Sequence, residues 1–150
     1  MAKILVVEDE WIVADQICAT LRKMGYLVPP PLSSGEEAIK TVVTEKPDLI
    51  IMDFCLRGAI DGAEAARRIT SKSDIPVIFL TAYSSQDILE RIKLTNPAGY
   101  LVKPFEDNEL KVNIEIALHK HQNDRELKNN YDRLESNLKT TIDAIADQIS

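Results

Sequence analysis

The stretch Leu49-Ile50-Ile51-Met52-Asp53 decides the fold class of this chain, because four consecutive apolar residues end in a single acid. A continuous apolar run without alternation is typical of a strand that is buried on both faces of a parallel sheet. Similar short runs cover residues 4–7, 75–80 and 100–102. Each run is followed by a polar residue, and parallel strands place such residues at one edge of the sheet.

Segments in which apolar residues recur at helical spacing separate these runs. They cover residues 11–24, 35–44, 62–69 and 86–94. Because predicted strands and helices alternate along the chain, the sequence predicts an α/β fold in which right-handed crossovers build a parallel sheet.

A further strand is expected at residues 26–28, although this segment runs directly into Pro29-Pro30-Pro31. Proline has no backbone N–H, so such a strand is tolerated only at the edge of a sheet. The flavodoxin-like strand order 2-1-3-4-5 places the second strand at an edge. We therefore predict a doubly wound, five-stranded parallel sheet of this order, with helices on both faces and an extended C-terminal helix.

The composition of the chain changes after Glu106. Leu110, Ile114 and Ala117 predict a helix that packs on the sheet, and the chain becomes polar from Gln122 onward. The apolar residues then follow alternating steps of four and three, which is a heptad pattern: Leu127, Tyr131, Leu134, Leu138, Thr141 and Ile145. We predict one domain over residues 1–120 and a helical coiled-coil linker over residues 121–150 that forms a weak homodimer. The alternative, that this apolar seam covers the domain itself, stays open.

The overall charge and the cysteines limit the classes of partner. A net charge of −6 and a pI of about 5.0 argue against binding to nucleic acid or to anionic lipid. Cys18 and Cys55 form neither a metal-binding spacing nor a disulfide framework, so a reducing compartment is expected. The chain shows no signal-peptide pattern and no run of the ~20 apolar residues that a membrane helix needs. We therefore expect a cytoplasmic protein.

Chemically distinctive residues follow the predicted strands: Glu8-Asp9, Asp53, Thr81 and Lys103. Three clustered carboxylates raise one another's pKa unless positive charge lies among them. Mg²⁺ prefers oxygen ligands and keeps several waters, and Lys103 would add a compact cation. A metal and a lysine around a carboxylate can neutralise a phosphoryl group in transfer. We therefore predict that Asp53 accepts this group and becomes an acyl phosphate.

Four motifs in this order resemble the receiver domain of two-component response regulators over about residues 2–120. The motifs are Val6-Val7-Glu8-Asp9-Glu10, Leu49-Ile50-Ile51-Met52-Asp53, Phe79-Leu80-Thr81-Ala82 and Gly99-Tyr100-Leu101-Val102-Lys103-Pro104-Phe105. The resemblance implies a phosphorelay protein that accepts a phosphoryl group from a histidine kinase or a phosphotransfer protein. It also implies that the domain then switches conformation to control its own output region.

The resemblance assigns the acceptor and the metal ligands. Asp53 matches the phosphoacceptor and also a metal ligand. Asp9 matches the direct Mg²⁺ ligand, and Glu8 matches the acid that binds the metal through water. The backbone carbonyl of Cys55 matches the metal ligand two residues past the acceptor.

The remaining roles concern the switch. Thr81 matches the hydroxyl that turns toward the phosphoryl group, and Lys103 matches the ion-pairing lysine. Tyr100 matches the switch aromatic residue that moves inward when Thr81 is recruited. The family also implies a cis peptide bond between Lys103 and Pro104. The segment 54–62 departs from many members, which have a proline soon after the leucine, and it resembles receivers of sensor and kinase proteins.

Other functions stay open at this point. A phosphorylation-independent receiver could act only as a dimerisation module, although its acceptor, acids and lysine are intact. A flavodoxin-like cofactor binder or an aspartyl-phosphate hydrolase is disfavoured, because the first turn has no Gly-rich loop and Cys55 stands where the hydrolase would have a second acid. Apart from self-catalysed transfer and hydrolysis at Asp53, we expect no enzymatic turnover.

Residues 138–149 resemble the segment that leads into a PAS sensor domain. This resemblance predicts that the chain is the N-terminal piece of a larger signalling protein, with a histidine kinase as one alternative.

Overall fold

The computed structural model describes residues 1–82 and 86–149, with side chains up to residue 147. The strands are β1 (Ile4–Val7), β2 (Leu49–Asp53), β3 (Val77–Thr81) and β4 (Gly99–Val102). The helices are α1 (Trp11–Lys23), α2 (Gly35–Glu45), α3 (Gly62–Thr70), α4 (Gln86–Leu94) and α5 (Asp107–Ile149). The predicted α/β class is confirmed.

The strands form a parallel sheet in the order β1-β2-β3-β4. Val7 lies beside Met52, Asp53 beside Leu80, and Thr81 beside Val102. The carboxyl ends of all four strands therefore lie along one edge of the sheet, which is where parallel α/β folds bind their ligands.

The prediction of five strands is wrong for the described residues, which form a sheet of four. The expected second strand is reduced to two isolated bridges, from Leu27 to Lys3 and from Leu32 to Val7. The physical reason lies between them: Pro29-Pro30-Pro31 cannot donate a ladder hydrogen bond. The segment nevertheless runs beside β1 at the edge of the sheet, so the flavodoxin-like arrangement is retained.

Each face of the sheet carries its own hydrophobic core, because successive side chains of a buried strand point to opposite faces. In β2, Ile50 and Met52 join the core that includes α2, α3 and α4. Leu49 and Ile51 join the core that includes α1 and the first turns of α5. The helices therefore cover both faces, as a doubly wound fold requires.

Capping residues begin two of the helices that lead away from the strands. The Ser34 hydroxyl accepts a hydrogen bond from the backbone N–H of Glu37, at 3.2 Å, at the start of α2. The Asp61 carboxylate does the same for the N–H of Glu64, at 2.9 Å, at the start of α3. Such caps satisfy N–H groups that have no partner inside the helix.

The chain divides into two compact units, Met1–Leu118 and His119–Ser150. The first unit contains the sheet and both cores. The second is helical as far as Ile149 and exposes a series of large apolar side chains: Leu127, Tyr131, Leu134, Leu138, Ile142 and Ile145. Within residues 1–82 and 86–149, none of the helices combines the length and the hydropathy that a membrane span requires.

Candidate functional site

The carboxyl edge of the sheet brings together residues that are far apart in sequence. Glu8 and Asp9 directly follow β1, and Asp53 and Thr81 are the last residues of β2 and β3. Lys103 directly follows β4. One side-chain oxygen from each of the three acids lies within 4.8 Å of the others. The structure therefore brings Asp53 beside Glu8 and Asp9, which precede it by more than forty residues in the sequence.

A buried ion pair organises the cluster. The Nζ atom of Lys103 lies 2.6 Å from Oε2 of Glu8 and 3.4 Å from Oδ2 of Asp53. All three side chains are largely shielded from solvent. Removal of one partner from such a group leaves an uncompensated buried charge, which is strongly destabilising. Lys103 therefore holds two carboxylates together that would otherwise repel each other.

Burial raises the pKa of Glu8 to about 7. The hydrogen bond from Lys103 lowers this pKa, and the negative charge of Asp53 raises it further. Burial by itself would lower the pKa of Lys103, but its hydrogen bond to Glu8 and the charge of Asp53 raise it above the usual value. Lys103 therefore stays charged at neutral pH, whereas Glu8 exchanges its proton near neutrality.

Asp9 faces a different set of partners. Its Oδ2 atom accepts a hydrogen bond from the backbone N–H of Arg57, at 3.2 Å, and lies 3.6 Å from the Arg57 Nε. The Asp9 side chain keeps 14% of its accessible surface. Asp9 is therefore the member of the cluster that is held by the loop between β2 and α3.

The backbone around Asp53 is held by several hydrogen bonds. The N–H of Cys55 donates to Oδ1 of Asp53, at 3.1 Å, and the N–H of Phe54 donates to the carbonyl of Leu80, at 2.8 Å. The N–H of Gly62 donates to the carbonyl of Phe54, at 3.1 Å. Asp53 therefore sits on a rigid strand end, with one carboxylate oxygen held by Cys55 and the other by Lys103.

Thr81 and Tyr100 lie on the neighbouring strands β3 and β4. Thr81 is buried, and its carbonyl accepts a hydrogen bond from the N–H of Lys103, at 2.7 Å. Tyr100 pairs with Phe79 in the sheet register and leaves 41% of its surface exposed. The peptide bond between Lys103 and Pro104 is cis, as the family resemblance implied.

Gly62 is a supporting residue that the sequence analysis did not identify. A Cβ atom at this position would lie 2.0 Å from the carbonyl oxygen of Asp53 and 3.1 Å from the Cα of Phe54. Only glycine permits this close approach of α3 to the end of β2. The pair Asp61-Gly62 followed by Glu64 was the available signal, because an acid three residues before a glutamate is typical of a helix start.

Two arginines near the acceptor loop were also missed. Arg57 contacts Asp9, as described above. Arg91 of α4 lies 3.3 Å from Oδ2 of Asp61, and its guanidinium is 5.0 Å from the centre of the Phe54 ring. No sequence pattern marks either contact, because each joins segments that are distant along the chain.

Comparison with known proteins agrees with this architecture. The response regulator receiver domain family matches residues 4–115. The transcriptional regulatory protein PdtaR of Mycobacterium tuberculosis is 37% identical over 116 residues, which are 77% of this chain and 56% of PdtaR. The chain thus corresponds to about half the length of the curated relatives it matches.

Two solved structures are similar as well. The signal receiver domain of a modulated diguanylate cyclase from Desulfovibrio desulfuricans is 35% identical, with a TM-score of 0.78 over 83% of this chain and 98% of that one. The N-terminal domain of a response regulator/sensory box/GGDEF three-domain protein from Carboxydothermus hydrogenoformans is also 35% identical, with a TM-score of 0.72 over 81% of this chain and 98% of that one.

The fold and the acidic edge therefore define a signal receiver of the doubly wound α/β class. The chain belongs to the response regulator receiver domain family, which acts in two-component phosphorelay signalling.

Proposed function

We propose that Asp53 accepts a phosphoryl group from the phosphohistidine of a histidine kinase or a phosphotransfer protein, with Mg²⁺ bound by the neighbouring acids. The observation that carries this proposal is the cluster of Glu8, Asp9 and Asp53 around the Lys103 ammonium. An acceptor carboxylate needs nearby cations, because both it and the incoming group are anionic.

The donor set suits a divalent cation that prefers oxygen. Two oxygens bound directly to one Mg²⁺ lie at most about 4.2 Å apart, since each Mg–O bond is about 2.1 Å long. The three carboxylate oxygens lie within 4.8 Å of one another. This spacing suits one small cation among the three acids, some bound directly and some through water. The family resemblance would assign direct binding to Asp9, Asp53 and the Cys55 carbonyl, and binding through water to Glu8. When bound, Mg²⁺ would neutralise charge on the phosphoryl oxygens.

The transfer itself follows from the position of Asp53. A carboxylate oxygen of Asp53 attacks phosphorus and forms a P–O bond, while the P–N bond to the donor imidazole breaks and its electron pair returns to nitrogen. The Nζ atom of Lys103 lies 3.4 Å from one Asp53 oxygen, so its ammonium can form an ion pair with the new phosphoryl group on Asp53. Hydrolysis of the acyl phosphate later restores the carboxylate.

The acceptor assignment is tested by incubation with a small acyl-phosphate donor and Mg²⁺. Intact-mass spectrometry should detect one added phosphoryl group on the wild type and none on Asp53→Asn. Asp132→Asn, a matched change on the exposed surface of α5, should be labelled as the wild type is. Full labelling of the Asp53→Asn protein would refute the assignment, and an unlabelled wild type would favour a phosphorylation-independent module.

We also propose that Thr81 and Tyr100 carry the switch. Thr81 would turn its hydroxyl toward the phosphoryl group, and the half-exposed Tyr100 ring would move into the space that Thr81 leaves. Their positions on adjacent strands support this coupling. Acyl-phosphate treatment should shift the Tyr100 ring resonances in NMR spectra of the wild type but not of Thr81→Ala. An equal shift in both proteins would contradict the coupling.

The output is proposed to lie beyond this chain and to receive the signal through residues 121–150. The similar three-domain protein joins a response regulator to a sensory box and a GGDEF domain, and PdtaR extends well beyond the matched part. The first observation supports an N-terminal receiver, and both support a protein longer than the matched part. The unpartnered apolar residues of the second unit support pairing of two copies into a weak coiled coil, because a helix gains most of its stability from packing such a face.

Sedimentation equilibrium tests this pairing. The wild type should show a concentration-dependent dimer, and the double variant Leu134→Glu/Leu138→Glu should stay monomeric, because each charge would be buried in the seam. Asn129→Glu, an exposed position on the side of the helix opposite the seam, is the control and should dimerise as the wild type does. If the wild type is a monomer at high micromolar concentration, or if all three proteins dimerise equally, the seam does not mediate pairing.

A further inference from the structure

The acids of the site differ in the cation that neutralises them. Lys103 contacts Glu8 and Asp53, whereas Asp9 is contacted by Arg57 of the acceptor loop. The Nε atom of Arg57 lies 3.6 Å from Oδ2 of Asp9, and the Arg57 backbone N–H donates to the same oxygen at 3.2 Å. Arg57 therefore offers Asp9, the proposed direct metal ligand, both a backbone N–H and a positive charge.

The two cations also differ in how firmly they are held. The Lys103 side chain is 18% exposed and has two shielded partners. The Arg57 side chain is 89% exposed, and within residues 1–82 and 86–149 its ion-pair partner is Asp9. An exposed ion pair of this length stabilises little, because water screens it and the long side chain loses freedom when it forms. Lys103 is thus a fixed part of the site, whereas the Arg57 guanidinium can leave it at low cost.

We propose that Arg57 is a built-in counter-ion of the magnesium site, which occupies Asp9 in the metal-free protein and has to be displaced when Mg²⁺ binds. The inference rests on the proposed function of this site. With both cations in place, the three carboxylates face a lysine and an arginine, so much of the attraction for a divalent ion is already satisfied. Arg57 is therefore a competing cation that weakens Mg²⁺ binding.

Arg57 contacts Asp9 through both its backbone and its guanidinium, so a side-chain substitution can test the guanidinium separately. In Arg57→Gln the backbone N–H to Asp9 is retained, whereas the guanidinium and its charge are lost. Because an exposed ion pair contributes about 0.2–1 kcal/mol, loss of the competitor should tighten Mg²⁺ binding by a factor of about 1.4 to 5. High salt should shrink the difference, since it screens exposed charges.

Isothermal titration calorimetry with MgCl₂ measures this effect on the intact chain, without any phosphoryl donor. Arg57→Gln should bind Mg²⁺ more tightly than the wild type, and Arg57→Lys should resemble the wild type because it keeps the charge. Lys72→Gln removes the same charge from the exposed turn after α3 and should leave the affinity unchanged.

The outcomes separate this inference from the proposed function. Equal or weaker Mg²⁺ binding by Arg57→Gln would overturn the counter-ion role alone, and so would an equal gain in Lys72→Gln, which would reveal only a general charge effect. No Mg²⁺ binding by the wild type would overturn both the counter-ion role and the magnesium site. Tighter binding confined to Arg57→Gln supports the inference.

Discussion

In the absence of Mg²⁺, the wild-type protein should become less stable as the pH rises through about 7, and Glu8→Gln should abolish this loss. Burial raises the pKa of Glu8 from 4.5 to about 7, despite the opposing hydrogen bond from Lys103. The folded protein therefore binds this proton more tightly than the unfolded chain does. The resulting stabilisation is fully present below pH 4.5 and is lost as the pH rises through about 7.

The size of the effect follows from the shift. Each pKa unit corresponds to about 1.4 kcal/mol, so a displacement of about 2.5 units is worth about 3 kcal/mol in total. Between about pH 5 and about pH 8, the wild type should lose about 2–3 kcal/mol of unfolding free energy relative to Glu8→Gln. Glutamine keeps the shape of the side chain and its capacity to accept hydrogen bonds, so the comparison isolates the charge.

Urea unfolding in the presence of a chelator, repeated across this pH range, measures the difference. Glu10→Gln is the matched control, because Glu10 is an exposed neighbour whose side chain makes no capping hydrogen bond to α1. Its stability should run parallel to that of the wild type. If the wild-type and Glu8→Gln curves are also parallel, the inference of a buried carboxyl group that titrates near neutrality is wrong.

Two further predictions concern the backbone and the metal. Gly62→Ala should lower the free energy of unfolding in urea by about 1–3 kcal/mol, because its Cβ would lie 2.0 Å from the carbonyl oxygen of Asp53. Gly99→Ala should cost much less, because its Cβ would lie 3.2 Å from the side-chain oxygen of Asn113 and in ordinary contact with Ile78, at 3.8 Å. Equal losses would contradict the close-approach argument. Asp9→Ala should weaken Mg²⁺ binding in calorimetric titrations more than Glu8→Ala does, since Asp9 is the proposed direct ligand. Unchanged affinity in Asp9→Ala would exclude it as a ligand.

The fold class and the members of the site could be read from local patterns. Leu49-Ile50-Ile51-Met52 is apolar throughout because helices cover both faces of its strand. Burial on both faces can therefore be recognised directly in the sequence as a continuous apolar run. Asp53 follows such a run, as do Thr81 and Lys103, and parallel pairing then requires them to share an edge. The prolines at 29–31 were correctly read as an edge signal, but the strand predicted beside them was reduced to isolated bridges.

What the sequence by itself determined, then, is the alternation of strands and helices, the acids and lysine at the ends of the strands, and the receiver family that these motifs identify. Only the tertiary structure decided which cation faces which acid: Lys103 contacts Glu8 and Asp53, while Arg57 contacts Asp9. It also decided that Gly62 has to be a glycine. Hydrophobic periodicity involves residues that are close in sequence, so it can be recognised from the sequence alone. Individual contacts between distant segments depend on how the strands and loops pack, and only the tertiary structure shows them.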